Sequence, residues 1–385
     1  MWSQEPYGYR AAPASVVAKQ LLVRAAERLH TANPIHVLGD VLDASLPYPV
    51  GHPAYATQQA RKLEPSFAET SPGTLAFTMV PGEAGSTPPD VQAQALQTMG
   101  RLTLGGFGKE ALGWAEGRLA PVMDGGMRSV TWGAKLGAGF DRDGIVESAI
   151  SCEWGPGLMD ALPAPLYRIA RIATDTLPGL RPSVSTIRCG RSSGTQQITF
   201  EVTTALPLAG LKPLMDGLQL GHQHAGLMSA CAFVLGARFT LPPGTSTITL
   251  RPTRSGVELR LDVDLDALPD VPPQLASLLR LQMAERPNSL RGLDRWLTAL
   301  TPDGYPGPGD FTTLSIWVRP DMPARVALYL RPSALASPPD AVPVGNGTYP
   351  ANGAIGANGT NGAPARPAPV SAAPSPPATA SSYWG

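Results

Sequence analysis

The sequence predicts an α/β protein: an antiparallel ββα-repeat barrel of about ten strands, with its helices outside. Three observations carry that expectation. Short strand-like runs come in four pairs, three of them joined by Gly-containing turns, and helical patterning separates one pair from the next. Within a run, apolar and polar residues alternate. Val257, Leu259, Leu261, Val263 and Leu265 share one face; Glu258, Arg260, Asp262 and Asp264 share the other. The two faces of such a strand meet different surroundings, whereas the buried parallel strands of a TIM barrel or a doubly wound sheet are apolar throughout. Third, the intervening helices must cover the apolar faces. That leaves the polar faces either bare or rolled inward around a wet, ligand-filled lumen, and closure also removes exposed edges, so the closed form is expected.

In chain order, Ala14–Thr31 carries Val16, Val17, Leu21, Leu22, Ala25 and Leu29 at helical spacing. Pro34–Pro53 is proline-punctuated and reads as irregular. The stretch Arg61–Pro81 follows, with Glu64 two residues before Ser66, a Pro72-Gly73 turn and a strand at Thr74–Val80. Helices are expected over Asp90–Thr103 and Lys109–Leu119. Ser129–Phe140 and Ile145–Trp154 form a hairpin about Asp143-Gly144, a strong two-residue turn signal. A helix over Pro165–Thr176 precedes a second hairpin, Val184–Arg188 with Gln196–Thr204. Helical patterning resumes across Leu208–Leu235. A third hairpin joins Thr245–Pro252 to Val257–Leu265 through Arg254-Ser255-Gly256, and helices at Pro273–Met283 and Leu290–Leu300 lead to Thr312–Arg319 and Arg325–Arg331.

Residues 1–60 are thus expected to form a helical and irregular segment packed on a barrel of residues 61–335. The remainder, 336–385, repeats Asn-Gly and then turns to Ala, Pro and Ser, a composition that buries no core and reads as disordered. Its Asn-Gly-Thr triplets at Asn346 and Asn358 are taken as chance matches to the glycosylation pattern.

The chain has 385 residues, is 43% hydrophobic and carries no formal net charge, so no basic footprint argues for nucleic acid or an anionic membrane. Cys152, Cys189 and Cys231 are sparse and unpaired by spacing, which fits a reducing compartment. With no signal-like N-terminus and no apolar run long enough to span, a cytoplasmic protein is expected.

The order Glu64-Pro65-Ser66, a strand, hairpin repeats and the closing Arg325-Val326-Ala327-Leu328-Tyr329-Leu330-Arg331-Pro332 resembles the aromatic prenyltransferases of the ABBA (PT-barrel) fold. The indole, dimethylallyltryptophan-synthase-like and cyanobactin peptide branches are the nearest in pattern, over roughly Arg61–Pro332. The resemblance implies that Glu64 of the E-x-S segment acts as general base and that basic and tyrosine side chains hold and shield the diphosphate of an allylic donor. The acceptor would be an aromatic group on a peptide or small natural product, with magnesium as an optional companion of the donor. Thr247–Pro252 resembles the family's T-x-x-x-P-x-R strand only loosely. Ala76, Glu147 and the Gln197–Glu201 strand stand where that family carries cations. Either Arg251, Arg260, Arg319, Arg325, Arg331 and Lys135 have taken over, or the barrel has lost diphosphate binding. It would then serve as a non-prenylating enzyme or a ligand- or peptide-binding protein of a biosynthetic pathway.

The candidate site is therefore Glu64 as base, with Arg251, Arg319, Arg325 and Tyr329 for the donor and Trp132 and Trp317 as cation–π walls. Glu64 read without the resemblance is a solvated or capping carboxylate before a proline. Glu147, Glu153 and Glu201 make a paired-carboxylate site for a cationic or polyhydroxy ligand if their faces line the lumen, and ordinary surface charges if they do not. Trp154 is expected on the apolar face of its strand, with packing the commoner role for all three tryptophans. His222 and His224, two apart with no third ligand near, are expected to be structural rather than metal ligands. Gly105-Gly106-Phe107-Gly108 lacks a preceding strand and a Gly-Lys-Ser/Thr step, so it is not read as a phosphate loop, and no G-x-S-x-G elbow marks a hydrolase.

Overall fold

The computed structural model describes residues 12–52, 63–83, 85–124, 131–153, 155 and 157–336, with the side chains of 123 and 124 left aside. The expectations for residues 1–11, Arg61, Lys62, Trp154 and the tail beyond 336 lie outside the described residues.

Ten antiparallel strands close into one barrel. They are β1 (Leu63–Ala68), β2 (Leu75–Met79), β3 (Ala134–Asp141), β4 (Gly144–Glu153), β5 (Leu180–Gly190), β6 (Gly194–Val202), β9 (Ser246–Thr253), β10 (Gly256–Asp264), β11 (Gly309–Arg319) and β12 (Met322–Pro332). Each hairpin lies beside the next, and β1 closes the ring by pairing with both β2 and β12. A separate two-stranded ribbon joins β7 (Leu206–Pro207) to β8 (Thr240–Leu241).

Among the described residues eight α-helical elements surround the barrel: α1 (Ala14–Leu29), α2 (Ile35–Ser45), α3 (Pro88–Asp124), α4 (Ala164–Thr176), α5 (Lys212–Gly217), α6 (His224–Val234), α7 (Leu275–Gln282) and α8 (Pro287–Leu300). Helix α3 covers β3, β4 and β5, while α4 and α6 cover β5, β6, β9, β11 and β12. The outward strand residues feed this shell. Leu259, Leu261 and Val263 of β10 and Ile316 and Val318 of β11 have no exposed surface, each contributing about 1.5–3 kcal/mol of apolar burial. Trp296 of α8 packs on Phe67 of β1 with ring centroids 5.9 Å apart.

The strand turns follow the sequence. Gly144, at φ 118°, and Gly256, at φ 133°, supply the left-handed backbone that their hairpins need. Two expectations are corrected, at 35–45 and 208–235. Residues 35–45, read as irregular, form α2, because Leu38, Val41, Leu42 and Ser45 recur at helical spacing and are buried. Leu63–Ala68, to which the sequence assigned no element, is a strand despite Pro65, since only Ser66, Phe67 and Ala68 pair with β12 and Pro65 lies beyond that ladder. The two helices expected over 90–119 are both present, joined within α3 across a kink at Gly108, whose φ of 87° and ψ of −178° are not helical. The run 208–235 is broken by 3₁₀ turns and by Gln219 at φ 61° into α5 and α6.

Candidate active site

Strand alternation turns the polar faces inward. The lumen holds two cavities, of about 370 and about 350 Å³, which share Thr78, Lys135, Ser151, Thr186, Arg188, Arg260 and Tyr329 as a waist. One wall is built from small residues, among them Ser66, Ala76, Gly137, Gly139, Ala149 and Ala327, and this leaves the space. The facing wall carries long polar side chains from β5, β9, β10 and β11.

On that wall, neighbouring strands place charges in rows. Arg251, Glu258 and Arg319 lie side by side on β9, β10 and β11, with Glu258 directly opposite Arg251 in the ladder. One oxygen, Glu258 Oε2, accepts from Arg251 Nη2 at 2.8 Å and Arg319 Nε at 2.5 Å. Burial alone would push the Glu258 carboxyl up, but the two guanidiniums outweigh it and hold the group below its ordinary range. The next row sets Arg260 between Thr249 and Trp317. Arg260 donates to Asp262 at 3.0 Å, and Ser315 donates to the same carboxylate. Burial opposes the charge on Arg260, yet Asp262 and Tyr329 raise its pKa. On the neighbouring strands β5 and β4, Arg188 Nη1 donates to Glu147 Oε1 at 2.6 Å, and that carboxylate is the main cause of the raised pKa of Arg188. Lys135 lies 5.9 Å from the Trp132 ring centroid, a cation–π arrangement. Among the described residues no carboxylate forms an ion pair with it.

The expected site residues divide accordingly. Arg251, Arg319, Glu147, Trp317 and Tyr329 line the larger cavity; Glu64, Trp132 and Tyr329 line the other. Glu64 is 4% exposed and accepts a hydrogen bond from Thr312 Oγ1 at 2.9 Å. Arg325 and Glu201 line neither cavity. Arg325 turns toward the buried Glu69, with Nε 3.8 Å from Oε1, and Glu201 pairs with the exposed Arg181 at the barrel rim. Arg331 is likewise directed to Asp266. Glu153 does not face a ligand: its carboxylate accepts the backbone N–H groups of Thr131 and Trp132 at 2.7 and 2.9 Å. His222 and His224 contact the carbonyl oxygens of Pro320 and Leu208 at 3.2 and 3.0 Å, at the junction of a 3₁₀ turn and α6. Among the described residues no group of three His, Cys, Asp or Glu side chains is placed to hold a metal ion.

Two contributors were not singled out from the sequence. Arg188 shares the inward face of β5 with Val184 and Thr186, while Ser185, Ile187 and Cys189 are buried on the other side, so alternation alone could have found it. Glu258 was placed on a polar face but given no role. Three donors on the lumen residues, Trp317 Nε1, Arg251 Nε and Arg188 Nε, are buried without a hydrogen-bond partner. Buried donors of this kind are costly unless a ligand or water supplies an acceptor.

No family model and no curated protein matches the sequence. Solved structures do match in fold. 6-Dimethylallyltryptophan synthase from Micromonospora olivasterospora, in complex with DMASPP and Trp, has a TM-score of 0.68 at 16% identity, over 86% of this chain and 100% of that one. 5-Dimethylallyltryptophan synthase from Streptomyces coelicolor gives 0.63 at 15% identity, over 85% of this chain and 100% of its own. The prenyltransferase PriB, in a ternary complex with L-tryptophan and dimethylallyl thiolodiphosphate, gives 0.60 at 16% identity, over 84% of this chain and 98% of that one. The chain therefore has the fold of the aromatic prenyltransferases.

Proposed function

We propose that this protein transfers an allylic prenyl group from a diphosphate donor to an aromatic acceptor, free or within a peptide. The observation that carries the reading is the convergence of Lys135, Arg188, Arg251, Arg260 and Arg319 on one lumen, with buried donor groups there still lacking acceptors. The cations missing at Ala76 and Glu147 are supplied from β5, β9, β10 and β11 instead. A diphosphate leaving group develops negative charge as its bond to the allylic carbon breaks, and oriented guanidiniums in a closed barrel stabilise that charge best.

In this scheme the donor's C–O bond breaks and its electron pair leaves with the diphosphate, held by Arg251, Arg319, Arg188 and Lys135. Trp317 and Tyr329 present ring faces to the allylic cation. The aromatic carbon of the acceptor, beside Trp132 in the second cavity, supplies the electron pair of the new C–C bond. Glu64, buried in that same cavity, takes the proton that restores aromaticity. Arg325 and Glu201, outside the lining, act at most on the mouth of the barrel.

The test is calorimetric titration of dimethylallyl and geranyl diphosphate into the protein, with and without magnesium, alongside Arg251→Ala. Binding that weakens in the variant supports the reading, and aromatic acceptors are then screened for turnover. No binding at millimolar donor would sink it and return the lumen to a role that involves no diphosphate.

A further inference from the structure

We infer that Glu258 is a built-in competitor for the donor's anion and sets the charge that a ligand must carry to enter the Arg251–Arg319 seat. This rests on the diphosphate reading above and concerns the selectivity of the same site.

The argument starts from how the two arginines are held. Both line the 370 Å³ cavity, and both spend a nitrogen on the single oxygen Glu258 Oε2. The Glu258 side chain is 6% exposed and lies between the two guanidiniums, not at the cavity surface. With its pKa held low, it stays ionised at neutral pH. The seat therefore already contains an anion, in ladder register with one of its two cations. The other pairs follow the same plan, with Glu147 on Arg188 and Asp262 on Arg260. Five cations line the two cavities with four carboxylates, so the lumen presents little net charge.

A monoanion entering such a seat gains no more from Arg251 and Arg319 than Glu258 already does, and it meets Glu258 as a like charge. A diphosphate carries two or more charges and several acceptor oxygens. It can engage several of Arg251, Arg319, Arg188 and Lys135 at once, all of which line the cavity, while Glu258 keeps part of its bonding. Discrimination thus comes from a repulsive group placed behind the cations as well as from the cations themselves. Glu258 is a specificity-determining residue and takes no part in bond making.

The probes are inorganic pyrophosphate and inorganic phosphate, titrated calorimetrically into the wild-type chain and Glu258→Gln at about pH 6, where phosphate is mostly the monoanion and Glu258 is still ionised, with thermal melting to show that the variant is folded. Wild type is expected to bind pyrophosphate and not phosphate. Glu258→Gln is expected to bind pyrophosphate about tenfold more tightly, the scale of one charge-assisted contact, and to acquire phosphate binding. Should Glu258→Gln fail to fold, Glu147→Gln makes the same test at Arg188, where the carboxylate is 39% exposed and its loss is better tolerated. Pyrophosphate binding by wild type that is unchanged or weaker in the folded variant overturns this inference and leaves the diphosphate reading standing. Absence of pyrophosphate binding in every protein overturns both.

Discussion

Glu153 Oε2 accepts the backbone N–H of Trp132 at 2.9 Å, so a carboxylate at the end of β4 fixes the position of an aromatic side chain in the lumen. The same oxygen takes the Thr131 N–H at 2.7 Å, and Oε1 takes the Thr131 hydroxyl at 2.8 Å. Backbone donors around an ionised carboxylate make charge-assisted bonds that a neutral substitute cannot replace. Glu153→Ala is expected to cost about 2 kcal/mol in urea unfolding, the worth of such bonds once solvent competition is counted. It should also raise the Michaelis constant for the aromatic acceptor while leaving donor affinity near wild type. A loss of stability with both constants unmoved would place Trp132 outside the acceptor site.

The low pKa of Glu258 has a definite pH consequence. Burial works against the charged form, but Arg251 and Arg319 hold the folded-state pKa below the ordinary 4.5. A depressed carboxyl contributes stability above its unfolded pKa and loses it as pH falls through the folded value. Glu258→Gln should therefore be less stable than wild type by about 2 kcal/mol at neutral pH, toward the low side for a buried pair because the lumen is wet. The gap should hold from pH 8 to about 5 and close as the solution is taken below 4.5, tracked by unfolding midpoints at each pH. A gap that stays constant through pH 3 would mean that the carboxylate is not the source of the difference.

How far the sequence carries the fold is clear from particular strands. Alternation in Val257–Leu265 and the Asp143-Gly144 and Ser255-Gly256 turns are local signals, and they placed hairpins that the barrel contains. The inward direction of the polar faces was legible too, because helices had to cover the apolar ones. Strand β1 was not, since Pro65 reads as a strand breaker unless it is known that β12 stops pairing before it. The site was legible by face but not by pairing. Arg251 and Arg319 are 68 positions apart and meet only because Glu258 stands between them across three strands. Arg325 shares the inward face of β12 with Tyr329, yet Glu69 draws its guanidinium away, and no spacing in the sequence records that.

The β5–β6 turn depends on one residue without a side chain. A Cβ built on Gly194 would lie 2.3 Å from Trp114 Cε3, and Trp114 belongs to α3. The indole therefore rests directly on the strand backbone. Gly194→Ala is expected to destabilise by about 1–3 kcal/mol in urea unfolding, the usual cost of overpacking. Adding Trp114→Leu should recover part of the loss, giving a coupling energy in the double-mutant cycle that two independent sites would not show.

Glu64 gives the sharpest division between binding and chemistry. It is buried, held by Thr312 from β11, and faces the second cavity, which Arg188 and Arg260 also line. Glu64→Gln keeps the shape and the hydrogen bond from Thr312 but removes the proton acceptor. Formation of the C–C product should fall about 10²–10⁴-fold, the ordinary contribution of a general base. Calorimetric affinity for the donor should stay at the wild-type value, because Glu64 is not among the residues lining the larger cavity. The donor would still ionise, so the variant should release diphosphate and the prenyl alcohol formed when water captures the allylic cation. Phosphate assay after pyrophosphatase, run beside chromatography of the prenylated acceptor, separates the two products. Equal loss of both would make Glu64 part of the binding site, and loss of neither would return it to a structural carboxylate that anchors β1 to β11.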